Sequence, residues 1–277
     1  MDLDEELLSG PFTCFRAHQL GVTRRMLQGR RFVRVFPRVY RHHSHQMTES
    51  DWMAAARMTL PRSAQPTGIT RIQQLGLEFG PRRPIRFVVE GDLHLVPPGI
   101  FLHRTKKLPP TDDQGVIPAA AFIAYCAKAR VVDAIKVGDW LLHNNHMTAQ
   151  QLESLALADV WRDGADEAIW ILDHLNGRAR SVKESETRAI LEFAGLPRAG
   201  VNTVVPIDED VELIGDLWLP AMADSGRVRR QASSRRSLAV PLRPRALRPS
   251  QEGGRPLRPG HPGETGAVQD VGGRGVP

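Results

Sequence analysis

The chain has 277 residues and a formal net charge of +6, which is enough length for two modest domains or for one domain with appendages. The positive charge is unevenly distributed: residues 225–277 contain 11 Arg, no Lys and three acidic residues, so the first 224 residues carry a net charge of −2. This distribution excludes a uniformly basic nucleic-acid-binding body and restricts such binding to local surfaces or to the tail.

Cysteine usage and hydropathy argue against the secreted and membrane-spanning classes. Cys14 and Cys126 lie far apart without a CxxC partner, which favours reduced thiols. The acidic start, residues 1–6, is unlike a secretory signal, and no apolar run approaches the roughly 18 residues of a transmembrane helix. We therefore expect a soluble, cytoplasmic protein with no membrane partner.

Two short helices are predicted near the N-terminus. Thr13 can cap the first, which Gly21 ends, and Thr23 can cap a second helix over residues 24–28. Two short helices joined by a tight glycine turn are typical of a helix-turn-helix. The apolar run over residues 32–40 then predicts an edge hairpin, or wing.

This segment is rich in arginine, with seven Arg between residues 24 and 41. Arginine neutralises phosphates and releases counterions, and a second helix of this kind enters the major groove. We therefore expect DNA binding, with Arg25 and Gln28 reaching base edges. The alternative is a solvated basic face on a helical cap. The predicted DNA-binding residues are Arg24, Arg25, Gln28, Arg30, Arg31, Arg34 and Arg38.

The segments Gly10 to Thr13, Gly21 to Arg25 and Arg34 to Tyr40 together resemble the winged-helix domain of AbiEi-type antitoxins. That family reads "G-x-F-T … G-[VL]-[ST]-R … R-x-x-R-G-V-Y", and here Pro37-Arg38 replaces the expected Arg-Gly at the wing turn. The resemblance covers roughly residues 8–45. It implies DNA binding, often autoregulation of an operon, and a cognate toxin as a partner.

The middle of the chain predicts a scaffold. Apolar spacing and turn signals indicate helices over 48–60 and 68–77, strands over 85–89 and 100–103, and several helices between 118 and 177. Thr148 and Gln151 predict a capping box for one of these helices. Three tryptophans are expected to pack in the core or between helices, namely Trp140, Trp161 and Trp170.

Two histidine clusters, at residues 42–45 and 143–146, raise the question of a metal site. Neither has Cys or carboxylate partners at the spacing of structural zinc. We expect exposed loop histidines rather than metal ligands.

A further helix and a hairpin are predicted after the middle region. Ser181 and Glu184 form a capping-box pattern, which indicates a helix start. Strands are predicted over 201–207 and 211–219, with Asp216 between apolar neighbours in the second. A carboxylate in this position either binds a ligand or faces solvent at a sheet edge.

The order "E-S-x-[TR]-R-x-x-L-x-x-x-G-L-P … D-L-x-x-P", present from Glu184 to Pro220, resembles the very-short-patch-repair-like endonucleases of the PD-(D/E)XK class. The resemblance implies that Glu184 and Asp216 are catalytic carboxylates and that Asp216 is a ligand of Mg²⁺, which activates water for phosphodiester hydrolysis. Two carboxylates are too few for this metal-dependent hydrolysis. The family continues with a strand ending "[VI]-E-[YF]-D-G-x-x-H", and nothing similar follows Pro220.

The genetic code suggests where this strand went. In a frame shifted by one base, each new codon consists of the last two bases of one codon and the first base of the next. In this frame the codon of Met222 must become a Trp codon. A choice of permitted synonymous codons for the following residues then yields Trp-Arg-Ile-Ala-Val-Glu-Tyr-Asp-Gly-Lys-His-His. This is the missing motif in the expected position. We hypothesise a frameshift near codons 219–222, since an out-of-frame GC-rich gene also encodes much Arg, Pro and Gly. The alternative is a disordered basic arm that binds phosphate by charge alone.

Together these patterns predict a mixed α/β chain: a winged-helix domain at 1–46, an α/β and helical connector at 47–180, an incomplete PD-(D/E)XK-like helix and hairpin at 181–222, and a disordered tail at 223–277. The predicted function is DNA binding with an inactive endonuclease-like segment; Mg²⁺ would be the cofactor of the intact family, and none is expected here. Two alternatives are an AbiEi-like antitoxin that represses its own operon, and an active endonuclease completed by a carboxylate such as Asp224.

Overall fold

The computed structural model describes residues 3–94, 97–208 and 211–219, and for residues 204–208 and 211–215 it describes the backbone only. Within these residues the chain is mixed α/β, as the sequence predicts. The helices are α1 (Glu5–Ser9), α2 (Cys14–Gln19), α3 (Arg24–Leu27), α4 (Glu49–Thr59), α5 (Gly68–Gln74), α6 (Pro118–Cys126), α7 (Val131–His143), α8 (Ala149–Ala158), α9 (Ala165–Leu172) and α10 (Val182–Phe193). The strands are β1 (Phe12–Thr13), β2 (Phe32–Phe36), β3 (Val39–His42), β4 (Gln65–Pro66), β5 (Ile85–Glu90), β6 (Ile100–Thr105), β7 (Gly200–Asp208) and β8 (Val211–Trp218).

The N-terminal sheet is antiparallel with the order β1-β3-β2. The predicted pair of helices and the wing are present as α2, α3 and the β2–β3 hairpin. The sequence does not predict α1 or β1, because elements of five and two residues are too short to show a period. This part has its own small core, formed by Leu7, Phe12, Ala17, Val22, Leu27 and Phe32.

The middle sheet has the order β4-β5-β6, in which β4 and β5 are antiparallel and β5 and β6 are parallel. Successive residues of a strand point to opposite faces. On β5, Ile85, Phe87 and Val89 therefore face one hydrophobic core, while Arg86 and Val88 face the other side. The predicted strands are confirmed, with β6 extending two residues beyond its predicted end.

The wing and the middle sheet share one core. Phe36 and Val39 of the hairpin pack in the same cluster as Ala55 and Ala56 of α4 and the inner face of β5. Trp52 of α4 meets Phe36 edge-on, with ring centroids 5.9 Å apart. The winged helix is therefore joined to the rest of the body by buried apolar contacts.

A helical layer made by α5 to α10 surrounds the largest core, in which α6 is buried along most of its length. Gly164, the residue before α9, has φ 96°, and a Cβ there would lie 2.0 Å from the Ile123 carbonyl oxygen. Only glycine allows so close an approach. The capping boxes at Thr148 and Thr48 are both present, and α5 ends at Gln74, three residues before its predicted end.

The tryptophan prediction is only partly correct. Trp140 packs against the largest core, and Trp170 stacks on Phe193 with ring centroids 6.3 Å apart. Trp161 is instead 52% exposed, and its ring lies 4.5 Å from the Arg162 guanidinium. Trp161 lies in the loop between α8 and α9, and its indole N–H donates to Asp159 at 3.2 Å. The predicted tail at 223–277 lies outside those residues.

Candidate nucleic-acid interface and nuclease-like segment

The helix-turn-helix is built by the predicted caps. The Thr13 hydroxyl accepts a hydrogen bond from the Arg16 N–H at 3.1 Å, and the Thr23 hydroxyl accepts one from the Met26 N–H at 3.3 Å. Gly21 has φ 79°, the left-handed conformation that ends a helix and redirects the chain. These local bonds start α3 at Arg24, with Arg24 and Arg25 in its only turn.

Six of the predicted arginines form what we call the arginine surface: Arg24, Arg25, Arg30, Arg31, Arg34 and Arg38. All six are exposed, and among the described residues none of them forms a salt bridge with a carboxylate. Arg34 makes one weak hydrogen bond to the Phe36 carbonyl at 3.4 Å. The surface therefore combines one helical turn, the turn after it and the wing, with its positive charge uncompensated.

The sequence around this surface lacks acidic groups. Residues 7–48 contain eight Arg and neither Asp nor Glu. The other two arginines have internal roles: Arg16 pairs with Glu6 at 2.6 Å, and Arg41 donates to the carbonyls of His42, His43 and His45. A body with a net charge of −2 thus holds a strongly positive patch at one end.

The predicted position of Gln28 within the second helix is wrong by one residue. The helix ends at Leu27, and Gln28 is the exposed residue that follows it. The backbone N–H of Gln28 bonds to the Arg25 carbonyl at 3.3 Å, which closes a tight last turn before Gly29. Of the residues predicted to reach base edges, Arg25 therefore lies within α3 and Gln28 follows it.

Four of the five histidines in the two clusters have a hydrogen-bond partner for the ring, and the ring of the fifth, His146, lies 5.2 Å from that of Trp140. The ring Nδ1 of His42 lies 2.6 Å from the Ser44 hydroxyl, and the His45 ring lies 3.0 Å from Asp51. His143 bonds to the Gly177 carbonyl. The expectation of exposed histidines is wrong for His42, which is buried against Phe32; burial and the neighbouring His43 and Arg31 lower its pKa.

The carboxylate of Glu184 is occupied in capping α10. It accepts hydrogen bonds from the Ser181 hydroxyl at 2.9 Å, the Arg180 N–H at 3.0 Å and the Asn202 amide at 3.0 Å. Burial raises the pKa of Glu184, but these hydrogen bonds and the Arg180 charge outweigh it, so the net shift is downward. The group is an ionised acceptor, unsuited to act as a general acid.

Asp216 lies exposed on β8. The β7–β8 register places it opposite Asn202, the residue whose amide reaches Glu184. The predicted pair of carboxylates is thus brought to one end of the hairpin. In the described part of the chain, however, no group of three His, Cys, Asp or Glu side chains could hold a metal ion, and the oxygens of Glu184 are already engaged. These residues do not fit a Mg²⁺ site.

One other residue of the predicted nuclease-like motif, Arg188, has structural partners that the sequence does not reveal. Arg188 and fully buried Asp139 of α7 form an ion pair at 2.7 Å, and Arg188 also donates to the His174 carbonyl. Burial raises the pKa of Asp139, and the Arg188 charge and the hydrogen bond from the Asn176 N–H only partly oppose this. These contacts hold α10 against α7.

Part of the helix-and-hairpin segment is apolar and exposed. On α10, Ile190 and Phe193 are 55% and 47% exposed, and at the end of β8, Trp218 and Leu219 are 41% and 40% exposed. An ordinary amphipathic helix directs such residues to a core. Here α10 has a second apolar side besides the buried side that carries Ala189.

The described residues contain no helix long and apolar enough to cross a membrane. No model of a known protein family matches the chain, and no curated protein is significantly similar to it.

Proposed function

We propose that this protein binds double-stranded DNA through its N-terminal winged helix. The observation that carries the proposal is the arginine surface: six exposed arginines on α3, the following turn and the wing, without an acidic residue between positions 7 and 48. Exposed surface arginines are usually balanced by carboxylates nearby. An uncompensated set on this topology matches the charge and shape of a DNA groove and its flanking phosphates.

We further propose that the segment over 181–219 is an incomplete, inactive endonuclease-like unit. Three features support this: the carboxylate of Glu184 caps α10, Asp216 is exposed and belongs to no group of three ligand side chains in the described residues, and α10 has a second apolar side. In the intact family a further strand carries the remaining ligand and would extend the β7–β8 sheet; by our frameshift hypothesis that strand is encoded in the shifted reading frame. The apolar side of α10 is the surface such a sheet would cover.

DNA binding is tested by fluorescence anisotropy with a labelled duplex at a series of salt concentrations. The double variant Arg24→Ala/Arg25→Ala is expected to weaken binding and to reduce the slope of log K against log[salt] by about 2, because each phosphate contact contributes about 0.9. Arg62→Ala/Arg82→Ala is the matched control, since both residues are exposed, lie outside the winged helix and form no salt bridge among the described residues. Equal slopes for the two double variants would show that the arginine surface does not contact DNA.

Every protein in this comparison retains the 11 Arg of residues 225–277, so differences between variants report on the winged helix alone.

The second part of the proposal is tested by plasmid nicking with Mg²⁺ or Mn²⁺. We expect no cleavage above background. Metal-dependent cleavage that Asp216→Ala abolishes would contradict inactivity. Resequencing codons 219–222 tests the frameshift, which is wrong if the shifted frame stops early or lacks Glu-Tyr-Asp-Gly.

A further inference from the structure

A cavity of about 590 Å³ lies between the middle sheet and α6, away from every residue that the sequence predicts to be functional. One wall is the side of the sheet that faces away from the wing, with Val88 and Phe101. The opposite wall is the C-terminal part of α6, with buried Ile123 and exposed Ala124. The walls are therefore mostly apolar, and small residues of α6 leave the space open.

The rim of this cavity is strongly basic. It carries two carboxylates, Asp133 and Asp163, against six cationic side chains: Arg86, Arg104, Lys106, Lys128, Arg130 and Arg162. Asp92 and Asp159 pair with Arg104 and Arg162 from outside the lining, so six cations face four carboxylates and an excess of two positive charges remains. The first 224 residues as a whole are slightly acidic, so this excess is a local feature. Such an excess attracts an anion.

Three of these cations have no carboxylate partner among the described residues. Arg86 and Lys128 each lie 5.3 Å from the centre of the Phe101 ring, which holds them at the rim by cation–π attraction. Lys106 is exposed beside them. The other three cations pair with Asp92, Asp133 or Asp159. The cavity thus retains positive charge for a ligand.

Size and wall chemistry restrict what that ligand is. Cavities of roughly 300–1,000 Å³ suit small organic molecules, and a bare phosphate ion would leave most of this space and its apolar walls unused. An uncharged apolar molecule would leave the cations uncompensated. The required ligand has an organic body of moderate size and at least two negative charges, which arginine and lysine bind through charge-assisted hydrogen bonds.

We propose that this cavity binds an organic phosphate of nucleotide size, either as a free nucleoside phosphate or as the 5′-phosphorylated end of a DNA strand. Both sources present the same chemistry: a phosphate for the basic rim and a ring system for the apolar walls. The site is separate from the arginine surface, so the two binding events are distinguishable by mutation.

The test is isothermal titration calorimetry of the full chain with four probes: ADP, adenosine, inorganic phosphate and a 5′-phosphorylated trinucleotide of deoxyadenosine. We expect ADP to bind at least about ten times more tightly than adenosine or inorganic phosphate. Lys128→Ala is expected to weaken ADP binding about ten-fold, the effect of losing one charged hydrogen bond. Lys183→Ala is the control, because Lys183 is also exposed and without a salt bridge among the described residues but lies outside the cavity.

Each outcome decides the proposal. Equal ADP affinity in the Lys128→Ala and Lys183→Ala variants, or equal affinity of the wild type for ADP and inorganic phosphate, would overturn it. If the trinucleotide binds and Lys128→Ala weakens that binding, the natural ligand is the 5′-phosphorylated end of a DNA strand. If ADP binds and the trinucleotide does not, the natural ligand is a free nucleotide. Lys106→Ala provides a second exposed position if Lys128→Ala lowers the melting temperature. Arg24→Ala/Arg25→Ala should leave ADP binding unchanged even if DNA binding fails.

Discussion

At the scale of single residues, two sequence patterns assign different roles to Glu184: one predicts that it caps a helix, and the other predicts that it is catalytic. The spacing of Ser181 and Glu184 predicts the cap, and the family resemblance implies catalysis for the same Glu184. The structure confirms Ser181 as the cap, since its hydroxyl accepts the Glu184 N–H, but the carboxylate accepts from the Arg180 N–H rather than from that of Ser181 and has three donors around it. Sequence alone does not reveal the third donor, Asn202, because it lies 18 residues further along the chain.

Glu184→Ala is expected to lower the free energy of unfolding by about 1 kcal/mol at neutral pH, the usual contribution of such a cap. The pKa of Glu184 is lowered in the folded state, so this stabilisation is fully present above the unfolded pKa of about 4.3 and disappears as pH falls through the folded value. Urea unfolding at pH 7 and pH 3 measures it.

Asp216→Ala serves as the comparison for this measurement, because Asp216 is exposed and has no hydrogen-bond partner in the described residues. Its removal is expected to leave the free energy of unfolding unchanged at both pH values. A Glu184→Ala effect that is the same at pH 3 and pH 7 would show that the carboxylate does not act as an ionised cap.

At the scale of secondary-structure elements, the wing turn departs from the family pattern at a strained position. Phe36 pairs with Val39, so Pro37 and Arg38 form a two-residue loop. Arg38 has φ 64°, in the left-handed region, after a proline whose φ is fixed near −65°. This combination is typical of a type II turn, which favours glycine at the second position. The AbiEi pattern has that glycine, and this chain has Arg38.

Arg38→Gly is expected to raise the free energy of unfolding by about 0.5–1 kcal/mol, because glycine adopts the left-handed conformation without steric cost. The same change removes one cation of the arginine surface, so DNA affinity should fall. Arg38→Ala removes the cation and keeps the strain. The two variants should therefore bind DNA equally and differ in melting temperature; equal melting temperatures would mean that the turn carries no strain.

The elements that sequence predicts well are those with local signals. Thr13, Thr23, Thr148 and Ser181 all cap helices as predicted, since each cap involves a backbone N–H only three residues away. The arginine surface is predictable for the same reason, because its members are close in sequence. The basic cavity is not, because its walls come from residues between 67 and 163 that only the fold brings together.

At the scale of the whole molecule, the predicted boundary near residue 181 falls inside a continuous network of contacts. Ala189 of α10 belongs to the same hydrophobic core as α6 and α7. Lys136 of α7 reaches Glu186 at 3.2 Å, and the Arg188–Asp139 pair lies between the same two helices. Periodicity within a helix cannot reveal such cross-element ion pairs, since both partners read as ordinary polar positions.

These contacts predict that α10 and the helical layer unfold together. Arg188→Ala leaves the carboxylate of Asp139 buried without its counter-charge, and it is expected to lower the free energy of unfolding by about 3–5 kcal/mol. Arg16→Ala breaks an Arg–carboxylate pair that is exposed at the surface, and a much smaller change is expected there. Urea unfolding followed by tryptophan fluorescence and by far-ultraviolet circular dichroism measures both variants.

Whether the two signals change at the same urea concentration shows whether α10 and the body form one cooperative unit. If α10 belongs to the body, the two signals should coincide in the wild type, because one cooperative unit loses its tertiary packing and its helices at the same denaturant concentration. Trp140 of α7 and Trp170 of α9 report on the body, and Trp170 also contacts Phe193 of α10. Two separated transitions, with Arg188→Ala shifting only one, would instead support the boundary that the sequence predicts and make the helix and hairpin a unit with its own stability.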